Sequence, residues 1–157
     1  MEEHGAGLLR AIPVRSLFDA ASLIQIALAI GGAIVASRFE WLWLRRFTMA
    51  VALKAGTVLG MQMVAIGPTT LRLHAMNFEF AMVCTWIMAY AGTVSLIWNP
   101  SQSLRANLLR LGFHAIFIFG MNIARIELCF AAFCGGAPWT PTHAILTGGF
   151  GFLVYLP

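Results

Sequence analysis

Long apolar stretches alternate with short polar segments along the whole of this chain. Five stretches are apolar enough to predict membrane-spanning helices, over residues 20–37, 47–67, 79–98, 111–133 and 143–156. A helix needs about 20 apolar residues to cross a bilayer, so the last of the five is short for a full crossing. Prolines end two of them, at Gly67-Pro68 and at Asn99-Pro100. The pattern predicts an all-α membrane protein, a polytopic bundle of about five transmembrane helices.

Composition excludes an ordinary soluble domain. The chain has 157 residues, of which 60% are hydrophobic and 10% are charged, whereas soluble domains carry about 25% charged residues. The length leaves no room for a soluble domain beside five spans. We therefore predict an interfacial or flexible N-terminal segment over residues 1–19 and a single transmembrane domain over residues 20–157, with a short polar loop at 69–78.

The net charge of +4 bears on orientation before it bears on partners. Lys and Arg accumulate in short cytoplasmic loops. Five loop arginines lie on one predicted side and three on the other, which predicts an N-terminus outside the cytoplasm and a C-terminus inside it. The two sets are Arg38, Arg45, Arg46, Arg105 and Arg110 against Arg10, Arg15 and Arg72. These dispersed arginines form no basic stripe, so nucleic-acid binding is not predicted.

Three residues of distinctive chemistry lie near the predicted outer ends of neighbouring spans: Cys84, Arg125 and His143. An ionisable side chain inside a span is costly unless it faces a partner or a wet cavity, which makes Arg125 the strongest candidate for a site. Asn122 lies three positions earlier, on the same helical face. A cation beside Cys84 would lower the pKa of the thiol and favour the reactive thiolate.

The thiols also have simpler interpretations. A free cysteine in an apolar helix usually packs as a small hydrophobic residue. A disulfide between Cys84 and either Cys129 or Cys134 is conceivable at an outer face, and it would leave one thiol unpaired. His143, at the start of the last span, could be an ordinary interfacial histidine.

Four segments from Phe78 onward resemble the exosortase and archaeosortase family of membrane-embedded transpeptidases. They are Phe78–Thr85, Pro100–Gly112 with its spaced arginines, Met121–Ile126, and His143 leading the next span. The order and spacing of these segments at the ends of consecutive spans carry the resemblance, which implies a minimal core of the family. It implies that Cys84 is the nucleophile, Arg125 the essential arginine and His143 the third catalytic residue.

The resemblance also implies the reaction and its place. The expected enzyme is a cysteine peptidase or transpeptidase in a prokaryotic cell membrane, which cleaves a C-terminal sorting signal of exported proteins at the outer face. Arg125 would stabilise the thiolate and then the oxyanion, and His143 would carry the proton. Asn122 would orient Arg125 or donate to the oxyanion, and Glu79 would support the site. The expected partners are protein substrates and the bilayer, and no metal or cofactor is predicted.

Other functions use other residues. Glu79 or Glu127 could simply pair with Arg125, which would make the arginine structural. These three residues and Lys54 could instead line the polar path of a small transporter or channel subunit. A catalytically silent membrane scaffold is a further alternative. A haem-binding bundle would need His114 and a second histidine as axial ligands, but the predicted depths of His114 and His143 place them near opposite faces.

Overall fold

The computed structural model describes residues 20–154, which form a mostly helical protein with a small antiparallel sheet. The five helices are α1 (Ala20–Ser37), α2 (Leu42–Val58), α3 (Ile87–Ile97), α4 (Leu104–Cys134) and α5 (Trp139–Val154). The strands are β1 (Met63–Ala65), β2 (Thr70–Leu73) and β3 (Met76–Glu79), and a 3-10 turn follows at Met82–Cys84. The predicted N-terminal segment 1–19 lies outside the described residues.

The sheet corrects the all-α prediction, which treated residues 69–78 as a polar loop. Its strands are hydrogen-bonded in the order β1-β2-β3, and Leu71 of β2 is paired with Phe78 of β3. Leu71 and Leu73 are buried while Arg72 between them is exposed, as expected where one face of a strand covers a core. A search for apolar stretches of about 20 residues does not detect strands of only three or four residues.

Four of the predicted spans have different bounds, and the last of them begins at Trp139, four residues before the predicted start. The second ends early, because α2 stops at Val58 and β1 follows. The third contains a helix of only 11 residues, which leaves Cys84 in the 3-10 turn that precedes it. The fourth begins earlier than predicted, because the Ser103 side chain caps the first turn of α4 by accepting from the Ala106 amide. The first span agrees with α1.

The sheet is part of the hydrophobic core. Its apolar face packs against α2 and α4, so the strands cover the second half of α4. The buried residues of this core are Met49, Ala52, Met63, Leu71, Leu73, Phe78, Phe80, Ile126 and Phe130. The residues that follow β3, among them Cys84, are therefore held against α4.

Helices α1 and α3 are antiparallel neighbours in close contact. The Ser95 hydroxyl donates to the carbonyl of Gln25 at 3.0 Å. Further along, a Cβ on Gly32 would lie 2.8 Å from the carbonyl oxygen of Ala91, so only glycine permits this approach. The end of α1 therefore lies on the same side of the protein as the start of α3.

Fewer helices of the described chain could cross a membrane than the five that the sequence predicts. By length and composition, α4 is the one helix of the described residues that is long and apolar enough to cross a bilayer alone. Helices α1 and α2 meet the same criteria only as a pair, bent by 88° at the break between them, and α3 is apolar but short. One helix of the described chain could thus span a membrane, or two if the bent pair counts as one span.

The predicted orientation assigned the segment 38–46 and Glu79 to opposite faces of the membrane, and this assignment is wrong. Arg45 Nη2 donates to Glu79 Oε1 at 3.0 Å, and Arg45 Nε donates to the carbonyl of Phe80 at 2.6 Å. The physical reason is the bend after α1, where Trp41 adopts a left-handed φ of 44° and turns α2 towards the sheet. The five-to-three count of loop arginines therefore no longer supports an orientation.

Candidate active site

Cys84, Arg125 and His143 line one cavity, together with Glu79. This cavity, called the Cys84 cavity below, has a volume of about 320 Å³. It is enclosed by the end of β3, the 3-10 turn, α4 and α5, so residues far apart in the sequence converge on it. Among the described residues no hydrogen bond joins the Cys84 thiol to Arg125 or His143. The three residues share the wall of the cavity without direct contact by hydrogen bonds.

The 3-10 turn that holds Cys84 is tied to α4. Asn122 Nδ2 donates to the backbone carbonyl of Cys84 at 2.8 Å. The Cys84 amide in turn donates to the carbonyl of Ala81 at 2.9 Å, which closes the turn. The role expected for Asn122, orienting Arg125 or binding the oxyanion, therefore differs from its contact here, which positions the backbone of the candidate nucleophile.

The electrostatic surroundings of Cys84 differ from the expectation of a lowered pKa. Burial raises the pKa of the Cys84 thiol above its ordinary value, and the positive charges of Arg125 and Arg45 offset only part of this effect. The thiol is therefore mostly protonated at neutral pH and needs a base when it reacts. His143 lines the same cavity and has the chemistry for that task.

Arg125 is buried, with 7% of its surface exposed, and has no carboxylate partner among residues 20–154. Its Nη1 donates to the Thr147 hydroxyl at 3.0 Å, while its buried Nε has no acceptor. The expected alternative of an ion pair with a glutamate is not what the structure contains, since Glu79 pairs with Arg45 and both oxygens of Glu127 lack partners. A buried cation without a counter-ion is suited to an anion that forms during a reaction.

His143 is held by an aromatic cluster. Its ring stacks on Trp139, one helical turn earlier, with the ring centroids 5.3 Å apart. Trp139 is itself fixed by Phe78 of β3 at 4.5 Å and by Phe130 of α4 at 5.7 Å. The cluster joins the sheet, α4 and α5, and so sets the direction from which His143 faces the cavity.

Three supporting residues escaped the sequence interpretation: Arg45, Trp139 and Thr147. Arg45 was assigned to a charged loop, but it fixes the chain beside Cys84 through Glu79 and the carbonyl of Phe80. Trp139 carried a usable signal, since a residue four positions before His143 shares its helical face. Thr147 lies one turn beyond His143 on the same face of α5, and it holds the Arg125 guanidinium.

The other cysteines and His114 form no bond with Cys84, Arg125 or His143 in the described part of the chain. All three cysteines are free thiols, so the conceivable disulfide is absent, although Cys129 also lines the Cys84 cavity. The Cys134 Sγ lies 3.7 Å from the Nε2 of His74, near the sheet. The Nε2 of His114 lies 2.7 Å from the Thr93 hydroxyl, so one of its two ring nitrogens already has a hydrogen-bond partner.

A transporter path is not favoured by these positions. Lys54 lies in an apolar surface groove formed by α2, whereas Glu79 and Arg125 line the Cys84 cavity. Glu127 points towards Gly56 of α2, where a Cβ would lie 3.0 Å from its Oε2. The four charged residues therefore do not form one polar path. Within residues 20–154 no group of three or more His, Cys, Asp and Glu could hold a metal ion.

Comparison of the chain with protein-family models, with curated proteins and with solved structures finds no match. The chemical interpretation therefore rests on the residues of the Cys84 cavity and on the resemblance in sequence described above.

The pH dependence of alkylation is expected to report the protonated thiol. Because burial raises the pKa of Cys84, its modification by iodoacetamide should accelerate about tenfold per pH unit from neutral pH into the alkaline range, following the thiolate fraction. Arg125→Gln removes a positive charge that favours the thiolate, so the profile should move to higher pH. Mass spectrometry of the Cys84 peptide measures both rates, with Cys84→Ala as the background. A rate that is already constant below neutral pH would show that the pKa is lowered.

Proposed function

We propose that this protein is a membrane-embedded cysteine peptidase or transpeptidase that cleaves a C-terminal sorting signal of exported proteins. The observation that carries the proposal is the Cys84 cavity, in which a thiol, an imidazole and a buried arginine without a counter-ion face one space. Nucleophile, base and oxyanion stabiliser are the three parts that acyl transfer requires. The resemblance to exosortases and archaeosortases supports the same assignment.

The first half-reaction forms a thioester. As the Cys84 sulphur attacks the peptide carbonyl carbon, His143 accepts the thiol proton, so no free thiolate has to exist beforehand. The carbonyl oxygen becomes an oxyanion, and the planar guanidinium of Arg125 stabilises it with fixed N–H donors. The C–N bond then breaks, and His143 returns the proton to the leaving amine.

The second half-reaction releases the acyl group. Water or an amine enters the cavity, His143 removes its proton, and the new bond to the carbonyl carbon forms while the C–S bond breaks. Arg125 again stabilises the oxyanion, and the thiol recovers its proton from His143. Hydrolysis and transpeptidation differ only in which acceptor reaches the thioester.

The proposed setting is a multi-pass protein whose sheet-bearing end lies outside the bilayer. Helix α4 has 31 residues, which span about 46 Å at 1.5 Å per residue, whereas the hydrocarbon core is about 30 Å thick. Its large exposed apolar side chains, such as Phe113, Ile116 and Phe117, lie in the first half, with Leu128 as the exception. The first half therefore suits lipid contact, and the second half is covered by α2, the sheet and α5.

Labelling of intact cells tests which end faces outward. We expect a membrane-impermeant maleimide to modify Cys134, at the sheet-bearing end of α4, without permeabilisation. A Ser101→Cys variant, in the exposed loop before α4, should be modified only after the membrane is opened. This assignment follows from the resemblance, which implies an outward-facing site. The reverse pattern, with Ser101→Cys labelled in intact cells and Cys134 protected until lysis, would contradict it.

Activity itself is tested with a mixture of peptides. Purified protein in detergent is incubated with synthetic peptides of about 30 residues that end in apolar segments, long enough to enter a bilayer, and hydroxylamine is added as a strong nucleophile. The proposal predicts N-terminal fragments that carry a hydroxamate, because hydroxylamine cleaves a thioester. Cys84→Ala, purified in parallel, must yield none. Equal fragments from both preparations would assign the activity to a contaminant and overturn the proposal.

A further inference from the structure

A second cavity shares Arg125 and Val83 with the Cys84 cavity but is not lined by Cys84. This Trp86 cavity has a volume of about 200 Å³ and is lined by residues that include Trp86, Asn122, Thr147 and Gly151. Arg125 lines this cavity as well as the Cys84 cavity, so the two spaces are neighbours that share this side chain. An occupant of one cavity therefore contacts the same arginine as an occupant of the other.

Two residues that line the Trp86 cavity each carry a buried donor without an acceptor. The indole Nε1 of Trp86 and the Nε of Arg125 are both buried without a hydrogen-bond partner in the described part of the chain. Buried N–H groups in folded proteins are nearly always paired, so two orphans beside one cavity indicate a missing acceptor. Both groups only donate, and the matching ligand atom is an oxygen with lone pairs, such as a carbonyl oxygen.

The size and walls of the cavity limit the rest of the ligand. Pockets that hold a whole small molecule usually measure about 300–1,000 Å³, whereas this cavity has about 200 Å³. Its walls are largely apolar, with Ile118, Met121 and Phe150 among them. The space suits one apolar amino-acid side chain and does not suit a complete lipid.

We propose that the Trp86 cavity is a substrate subsite, which binds one apolar residue of the peptide, and that Trp86 Nε1 and Arg125 Nε donate to the carbonyl oxygen of this residue. This inference rests on the proposed function and adds a substrate preference to it. Because Arg125 borders both cavities, binding of the apolar residue also holds the guanidinium in place for the oxyanion at Cys84. Substrate choice and catalysis are then coupled through one side chain.

The experiment compares two epoxysuccinyl probes that differ in one arm, leucine amide in the first and glycine amide in the second. In both, the Cys84 sulphur attacks an epoxide carbon, a C–S bond forms, the C–O bond breaks and the oxygen takes up a proton. We expect the leucine probe to modify wild-type Cys84 at least about tenfold faster than the glycine probe, the size of effect that an apolar pocket gives. The rates are measured by mass spectrometry of the Cys84 peptide.

Two variants test the cavity itself. A Cβ on Gly151 meets nothing within 4 Å, so Gly151→Leu is tolerated sterically and adds a large side chain at a position that lines the Trp86 cavity. It should remove the preference for the leucine probe. Gly149→Leu is the matched control on the same helix, since its Cβ also meets open space and Gly149 does not line the cavity. Trp86→Phe removes the indole N–H that would bind the carbonyl oxygen present in both probes, so it should slow the modification of Cys84 by both of them.

The outcomes separate this inference from the proposed function. Equal modification of wild-type Cys84 by both probes would overturn the subsite and leave the cysteine chemistry standing. A leucine preference that survives Gly151→Leu, or rates for both probes that are unchanged in Trp86→Phe, would likewise overturn the subsite. If neither probe modifies Cys84 in the wild-type protein, the proposed function fails, and the subsite fails with it.

Discussion

Cys84→Ala is expected to abolish both the covalent intermediate and the product. The sulphur of Cys84 is the atom that forms the thioester, and no other group of the Cys84 cavity replaces it in the proposed mechanism. The measurement is fragment release from the peptide mixture, followed by mass spectrometry of the protein. Cys134→Ala is the matched control, because this thiol contacts His74 and does not line the cavity, and its activity should remain near the wild-type level.

His143→Ala separates the nucleophile from the base in the same experiment. Without the imidazole both half-reactions should slow, since each needs a proton transfer at His143. Iodoacetamide should nevertheless still modify Cys84 in this variant, faster as the pH rises, because the thiol remains in place. Fragment release by Cys84→Ala, or an acyl adduct on Cys129, would contradict the assignment of the nucleophile.

Arg125→Lys is expected to lose most of the activity although it keeps the positive charge. Lysine presents a point charge on a flexible stem, whereas the Arg125 fork donates to Thr147 with Nη1 and leaves other N–H groups for the oxyanion. Loss of one oxyanion donor typically lowers kcat by about 10²–10³-fold, and we expect a decrease of that order. The measurement is kcat with one cleaved peptide.

Arg110→Lys is the control for Arg125→Lys. Arg110 is exposed near the other end of α4 and does not line the Cys84 cavity, so the same substitution there should leave kcat unchanged. Near-normal turnover by Arg125→Lys would show that Arg125 acts only as a charge, and the role of its rigid fork would have to be abandoned.

The sequence predicted most of the helices because their signal is local. Helix α1 has the predicted bounds, and the long apolar stretch at 111–133 lies within α4. The prediction of a mostly helical protein is confirmed, apart from the sheet. The start of α4 was missed because a side-chain cap determines it. Ser103 caps the helix, which begins at Leu104, seven residues before the apolar stretch. Whether the helices form a polytopic bundle remains part of the proposal.

The sheet carried a weaker signal that a search for long apolar stretches passes over. Leu71 and Leu73 alternate with polar neighbours, as do Phe78 and Phe80, and alternation over a few residues is typical of a half-buried strand. The turn between β2 and β3 is formed by His74 and Ala75, which lack the Gly or Asn common in two-residue hairpins. His74 nevertheless adopts a positive φ of 54°.

The site residues could be predicted because they lie at similar depths in neighbouring predicted membrane spans. Cys84, Arg125 and His143 were selected because they lie near the ends of neighbouring helices, and the structure brings them to one cavity. The contact of Arg45 with Glu79 was not predictable, because it depends on the bend between α1 and α2. The pKa of Cys84 was misjudged for a related reason, since the burial that raises it comes from tertiary packing.

The most direct test of the account is mass spectrometry of the purified protein after brief exposure to a cleaved peptide. The account predicts a mass increase equal to the acyl part of the peptide, located on Cys84 and removed by hydroxylamine. The adduct should be absent from Cys84→Ala and should accumulate more slowly in His143→Ala. Peptide cleavage that proceeds with no adduct on Cys84, or with an adduct on another residue, would contradict the account.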